Sequence, residues 1–197
     1  FKAENEEGSV GVLCTFISPK NTVVLAVVDE EKHLLDEITR KIIVLAGDLY
    51  VDEGKLLPLA GNGFHESFLS AQEVARYRFL LQAQVLSYDG LGIDGRKSSG
   101  SHSRAVEQLE KDLNSQQPES FMAHLSPLLE DLRDGGFTIQ YCISMLSDIA
   151  VAAYGYMLRS QLDTWIVFGY DIREYAKQID SIDSYRGWMH QVIDTIY

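Results

Sequence analysis

Residues 137–158 read FTIQYCISMLSDIAVAAYGYML, and this run is apolar on nearly every side of a helix. A helix that is hydrophobic all round is usually buried at the centre of a fold. Asp148 interrupts the run, and the chain has no stretch of about 18 uncharged apolar residues that would span a membrane. We therefore predict a buried core helix whose small residues let neighbouring helices approach closely: Ala150, Ala152, Ala153 and Gly155.

The segments around this run predict a mainly α protein. Pro118 suits the first turn of a helix, and Gly135 followed by Gly136 is a stop signal. A chain of 197 residues can bury one substantial core. We expect a single helical bundle of about six or seven helices, one domain over residues 1–197. The other predicted helices are 29–51, 66–88, 103–114, 118–133, 162–179 and 184–197.

Residues 9–28 depart from the helical pattern. Apolar and polar residues alternate from Ser9 to Ile17, which is typical of a strand. Turn-forming residues follow, and residues 22–28 then contain four valines, whose branched side chains suit a pleated surface. We predict a short N-terminal β-hairpin over residues 9–28. The alternative is one long helix that begins with Ser18 as its N-cap and Pro19 as its first residue.

Residues 89–101, DGLGIDGRKSSGS, are rich in glycine and serine, and we predict a flexible loop there. The segment contains the pattern GxGxxG at Gly90, Gly92 and Gly95, which in dinucleotide-binding proteins lies between a strand and a helix. The preceding residues look helical and small polar residues follow, so the context for a dinucleotide is missing. We expect no cofactor.

The same segment offers a candidate modification site. Arg96 and Lys97 precede Ser98 and Ser99, a basic-then-serine pattern that a kinase can recognise. Phosphorylation would add negative charge to a chain that is already acidic. Ser98 and Ser99 are therefore our candidate phosphorylation sites.

The charge of the chain limits its partners. It has 29 acidic and 17 basic residues and a formal net charge of −12. Such a surface repels nucleic-acid phosphates and the anionic face of a membrane, and it favours basic partners. We expect a soluble cytoplasmic protein with no nucleic-acid partner and no membrane insertion. The oligomeric state stays open.

Two alternative functions depend on other residues. Glu30 and His33 form an ExxH pair with Glu37 further along the same helical face, so a helical enzyme with a carboxylate and histidine metal site is one alternative. The chain lacks a second ExxH pair, which favours a solvated charged face instead. The other alternative is a protein that binds an apolar small molecule between the 137–158 helix and its neighbours. No serine or cysteine lies in a recognisable nucleophile motif.

Aromatic residues gather in the last third of the chain, where acidic residues lie between them. Tyrosine and tryptophan serve cores, and they also anchor protein interfaces. Together with carboxylates they suit recognition of a basic partner. We therefore predict a non-enzymatic interaction module, either a subunit of a larger intracellular assembly or an inhibitor of a basic target. The predicted partner-binding residues are Tyr170, Tyr175, Asp180, Asp183, Tyr185 and Trp188.

Overall fold

The structure, a computed structural model, describes residues 11–12, 15–17, 40, 44, 50–58, 62–100 and 102–197. The protein is mostly helical, as predicted. Its chain divides into two compact units, residues 1–94 and residues 95–197, which are described separately below. The prediction of one domain over the whole chain stays a prediction.

Among its described residues, the first unit contains five short strands: β1 (Gly11–Val12), β2 (Thr15–Ile17), β3 (Val51–Glu53), β4 (Leu57–Pro58) and β5 (Val85–Ser87). Strand β1 pairs antiparallel with β4. In the other sheet the order is β2-β3-β5, and β3 pairs antiparallel with β2 but parallel with β5. Parallel strands need a crossover connection, and the chain between β3 and β5 supplies one that contains a helix.

That helix is α1 (Gly63–Arg76), followed by a 3₁₀ turn at Tyr77–Phe79. It packs against the turn between β3 and β4, where Gly54 lies directly against its backbone. A Cβ atom on Gly54 would come within 2.1 Å of the carbonyl oxygen of Ser67, so only glycine fits. Helix α2 (Tyr88–Leu91) and a 3₁₀ turn at Ile93–Gly95 follow β5.

The predicted hairpin over residues 9–28 is not confirmed. The described strands in this part of the chain, β1 and β2, pair with β4 and β3. Residues 22–28 lie outside the described residues. The predicted 29–51 helix is wrong at its end: Arg40 and Val44 are helical, but Val51 begins β3.

The predicted 66–88 helix is also wrong beyond the 3₁₀ turn, and Arg78 provides the reason. Its guanidinium pairs with the buried carboxylate of Asp52 at 2.7 Å and donates a hydrogen bond of 2.9 Å to the carbonyl of Val51. It also donates to the carbonyl of Ala83 at 2.5 Å. These contacts tie the chain after α1 to β3, and pairing with a distant strand overrides the local helical periodicity.

Ordered elements also occur within the predicted 89–101 loop. Ser87 caps α2 by accepting a hydrogen bond from the backbone N–H of Gly90, and Gly92 ends the helix at a φ of +58°. Further along, the backbone N–H of Lys97 donates to the carbonyl of Gly136, and its carbonyl accepts from Thr138. The glycine and serine content therefore does not exclude regular structure here.

The second unit consists of helices α3 (Ser103–Asn114), α4 (Pro118–Asp134), α5 (Ile139–Arg159), α6 (Thr164–Phe168), α7 (Ile172–Ala176) and α8 (Ile182–Ile196). Helices α3, α4, α5 and α8 confirm the predicted segments, with boundaries that agree within two residues. The predicted 162–179 helix is wrong, because Gly169 at a φ of +77° ends α6 and a second short helix begins after Asp171.

Helix α5 packs against α3 and α7, and the residues of its buried face include Cys142 and Met157. Its other face is not covered: Val151 and Leu158 are more than half exposed. The structure therefore buries one face of this predicted core helix and leaves the other exposed. By length and composition alone α5 can cross a membrane, but a core helix meets the same test and half of its most apolar window is buried. The composition of α5 is thus weak evidence of a membrane span.

Candidate partner-binding site

Helices α7 and α8 position the predicted partner-binding residues, and side-chain caps define where each helix begins. Asp171 accepts a hydrogen bond from the backbone N–H of Arg173 at 2.9 Å at the start of α7. Ser181 accepts one from the N–H of Ser184 at 3.1 Å at the start of α8. Both residue types are favoured N-caps because their oxygens satisfy helix N–H groups that otherwise lack partners. The Asp171 cap therefore fixes the start of α7, and the Ser181 cap fixes where the 177–181 connection ends and α8 begins.

Three of the predicted aromatic residues form one cluster. The rings of Tyr170 and Tyr175 stack, with centroids 4.5 Å apart and an angle of 24° between their planes. The indole N–H of Trp188 donates a hydrogen bond of 3.1 Å to the hydroxyl of Tyr170. The Trp188 and Tyr175 rings are also neighbours, with centroids 5.8 Å apart and an angle of 36° between their planes. The fold thus brings together three of the predicted residues from two helices and the preceding loop.

The structure places Tyr185, which the sequence analysis also named, in the core. It is 1% exposed, and its hydroxyl donates a hydrogen bond of 2.7 Å to the carbonyl oxygen of Leu146 on α5. Burial raises the pKa of the Tyr185 phenol. Its ring meets Trp188 edge to face, with centroids 5.5 Å apart, so Tyr185 supports the cluster from beneath. A partner that stays outside the fold cannot touch it.

An open cleft of about 310 Å³ lies beside the cluster. Tyr175 and Trp188 form its aromatic walls, and Asp180 contributes a carboxylate. The remaining lining residues are Gln178, Ile179 and Ser184. Asp183, which was predicted to share this site, does not line the cleft. Its carboxylate instead pairs with Arg133 on α4 at 2.6 Å.

A second, wider groove of about 460 Å³ lies along the C-terminal end of α5. Its lining includes the exposed side chains of Leu158 and Trp165, but also Asp163, Asp171 and Arg173. Hydrogen bonds from the Arg173 side chain hold the pKa of Asp171 at about 2, below its usual 3.8. Such a charged lining does not suit the apolar ligand that the sequence analysis considered beside this helix.

Two histidine clusters escaped the sequence analysis because their members are distant in the chain. His102 contacts Tyr141 through Nδ1 at 2.5 Å and Asp131 through Nε2 at 2.6 Å, so both ring nitrogens are engaged. The other cluster contains serine, histidine and aspartate: Ser120, His124 and Asp112. Both Ser120 at 3.1 Å and His124 at 2.7 Å contact the Asp112 carboxylate. In a nucleophilic triad the serine hydroxyl hydrogen-bonds to the histidine ring. Here Ser120 hydrogen-bonds to Asp112 instead, so this arrangement does not activate Ser120.

The sequence also predicts, as an alternative, a carboxylate and histidine metal site. Glu30, His33 and Glu37 lie outside the described residues. Within residues 50–58, 62–100 and 102–197, together with the shorter described segments, no group of three or more potential ligands comes together. Cys142 is a free, buried thiol, and burial raises its pKa to about 11, which makes it a poor nucleophile at neutral pH.

The remaining motifs lie in residues 90–99, which run from within the short helix α2 to the segment before α3. A strand, β5, does precede the GxGxxG pattern, contrary to expectation, but Gly90 lies within α2 and Gly92 ends it. The pattern therefore does not form a loop that opens onto a long helix, as dinucleotide binding requires. Ser98 and Ser99 are both exposed, which a phosphorylation site needs, and their modification stays a prediction.

Comparison of the chain with protein-family models, with curated proteins and with solved structures finds no match.

Proposed function

We propose that this chain is a non-enzymatic interaction module that binds a partner with a basic surface, as a subunit of an intracellular assembly or as an inhibitor of a basic target. One observation carries the proposal: Tyr170, Tyr175 and Trp188 form a cluster beside an open cleft that contains Asp180. Aromatic residues anchor protein interfaces, and carboxylates attract a basic partner.

The charge of the whole chain supports the same partner class. A net charge of −12 accelerates encounter with a basic protein and slows encounter with an acidic one. Once the partner is close, the aromatic cluster provides apolar contact area, which long-range attraction does not. Tyr175 is 40% exposed, so a partner can cover its ring.

Fluorescence anisotropy of labelled peptides tests this proposal on the full chain. One peptide alternates lysine with glycine, and its control alternates glutamate with glycine at the same length. We expect the lysine peptide alone to bind, with an affinity that falls at least about tenfold between 50 mM and 500 mM salt, because salt screens exposed charges. Equal binding of the two peptides, or of neither, would contradict the proposal.

Two pairs of variants locate the binding surface. Tyr175→Ala and Asp180→Asn remove the exposed ring and the carboxylate of the cleft. Trp165→Ala and Asp148→Asn remove an exposed ring in the other groove and an exposed carboxylate on α5. The proposal expects the first pair to weaken binding of the lysine peptide and the second pair to leave it nearly unchanged. The reverse result would move the binding surface to the groove around Trp165.

A further inference from the structure

Aromatic rings in this chain repeatedly carry a cation over their faces. The Arg173 guanidinium lies 3.9 Å from the Tyr154 ring centroid, and Lys55 Nζ lies 4.5 Å from that of Tyr88. Arg78 over Tyr50 and Lys97 over Phe137 repeat the arrangement at 4.3 and 5.3 Å. Within the part of the chain that the structure describes, Tyr175 and Trp188 have no such cation. The rings of the cleft therefore differ from these four.

One of the carboxylates around the cleft lacks a cation as its partner among the described residues. Residues 171–183 contain four carboxylates. Three of these pair with a cation: Asp171 with Arg173, Glu174 with Lys177, and Asp183 with Arg133. Asp180 has no ion pair among the described residues, and it is the carboxylate that lines the cleft. An unpaired carboxylate next to the exposed ring of Tyr175 is complementary to a cation.

Contacts beneath the cleft hold its walls in place before any ligand arrives. Trp188 is 5% exposed. Its indole N–H donates a hydrogen bond to the Tyr170 hydroxyl, and its ring packs edge to face against Tyr185. Stacking on Tyr170 orients the Tyr175 ring. Walls that are already ordered lose little conformational entropy when a ligand binds, which favours affinity.

We propose that this cleft binds one alkylammonium group, the end of a lysine or methylated lysine side chain of the partner. The group rests on the exposed ring of Tyr175 next to Trp188, which also lines the cleft, and Asp180 supplies the balancing charge. A cleft of about 310 Å³ is large enough for such a side chain but small for a folded segment. This inference rests on the proposed function, because it names the chemistry of the partner at that site.

Nuclear magnetic resonance of the Trp188 indole N–H tests the inference directly. The chain has two tryptophans, so Trp165→Phe leaves Trp188 as the only indole signal. The probes are tetramethylammonium chloride and its neutral counterpart of similar shape, tert-butanol. We expect a saturable shift with the cation and none with the alcohol, since cation–π attraction needs the charge.

Variants made in the same background refine the test. Asp180→Asn should weaken tetramethylammonium binding at least about fivefold, because it removes the balancing charge. Tyr175→Ala should weaken it about tenfold, because it removes one wall. Asp148→Asn, which makes the same charge change on α5, should leave binding unchanged. Equal shifts with both probes, or no weakening by Asp180→Asn, would overturn the cation site.

The two proposals fail in different ways. If the lysine peptide binds but tetramethylammonium leaves the Trp188 signal unmoved, the cation site is wrong while the interaction module stands on another surface. If tetramethylammonium binds in the cleft but no basic peptide does, the site stands as a small-cation site and the proposed function is wrong. Saturable binding of both the lysine peptide and tetramethylammonium, with both weakened in Asp180→Asn, supports the two proposals together.

Discussion

Tyr185 forms a buried base beneath the aromatic cluster, and Tyr175 and Asp180 form its exposed rim. A tyrosine thus occurs in both places. Tyr185 in the base is 1% exposed, and its hydroxyl is bonded inside the fold. Tyr175 in the rim is 40% exposed and faces an open cleft. The two tyrosines are only ten positions apart in the chain. The sequence thus shows that this region is rich in aromatic residues. Packing decides which ring is buried in the core and which stays exposed.

Substitutions in the base and in the rim should affect different properties of the protein. Changes in the base should lower the free energy of unfolding, whereas changes in the rim should alter binding and little else. Both tryptophans lie in residues 95–197, so tryptophan fluorescence during urea unfolding reports on the unit that contains the cluster.

Tyr185→Ala should have the largest effect on stability. Removing a fully buried aromatic side chain leaves a cavity and typically costs about 3–5 kcal/mol of unfolding free energy. Tyr185→Phe keeps the ring and loses only the hydrogen bond to Leu146, so it should cost about 1 kcal/mol. Urea unfolding of both variants measures the difference. Equal losses for Ala and Phe would mean that the ring is not packed as described.

An intermediate and pH-dependent effect is expected at Asp171, which caps α7 and pairs with Arg173 at 2.6 Å. Its pKa in the folded state, about 2, lies below the ordinary value of 3.8. A lowered carboxylate pKa stabilises the fold above the unfolded value, and this stability is lost as the pH falls through the folded one. Asp171→Asn keeps a capping side chain without the charge, so it should cost about 1 kcal/mol at pH 7.

The difference in unfolding free energy between the parent protein and Asp171→Asn should therefore shrink as the pH falls from 3.8 toward about 2. Urea titrations at several pH values in this window provide the measurement. A difference that stays constant across the window would show that the Asp171 charge does not contribute to stability.

The smallest effect on stability is expected in the rim. Asp180 is exposed and has no ion pair among the described residues, so Asp180→Asn should change the unfolding free energy by less than about 0.5 kcal/mol. The same substitution should nevertheless weaken binding of the lysine peptide. A large loss of stability in Asp180→Asn would remove the distinction between base and rim.

The sequence predicted the candidate site in part. Tyr170, Tyr175 and Trp188 were identified from their residue type and position near the chain's end, and the structure brings them together. The exclusion of Tyr185 from the surface was not predictable. A helical period tells which residues share a face of α8, but not which neighbouring helix covers that face.

Local signals account for the helices that the sequence alone determined. Segments 103–114 and 118–133 both form helices as predicted. Pro118 and the stop signal at Gly135 and Gly136 bound the second of them, so the information for this helix lies within it and next to it. By contrast, β3 forms by pairing with both β2 and β5, and the sequences of β3 and β5 continue helical-looking runs. A strand obtains its hydrogen bonds from a distant segment, so only the tertiary structure decided the sheet, and with it where the helices before it end.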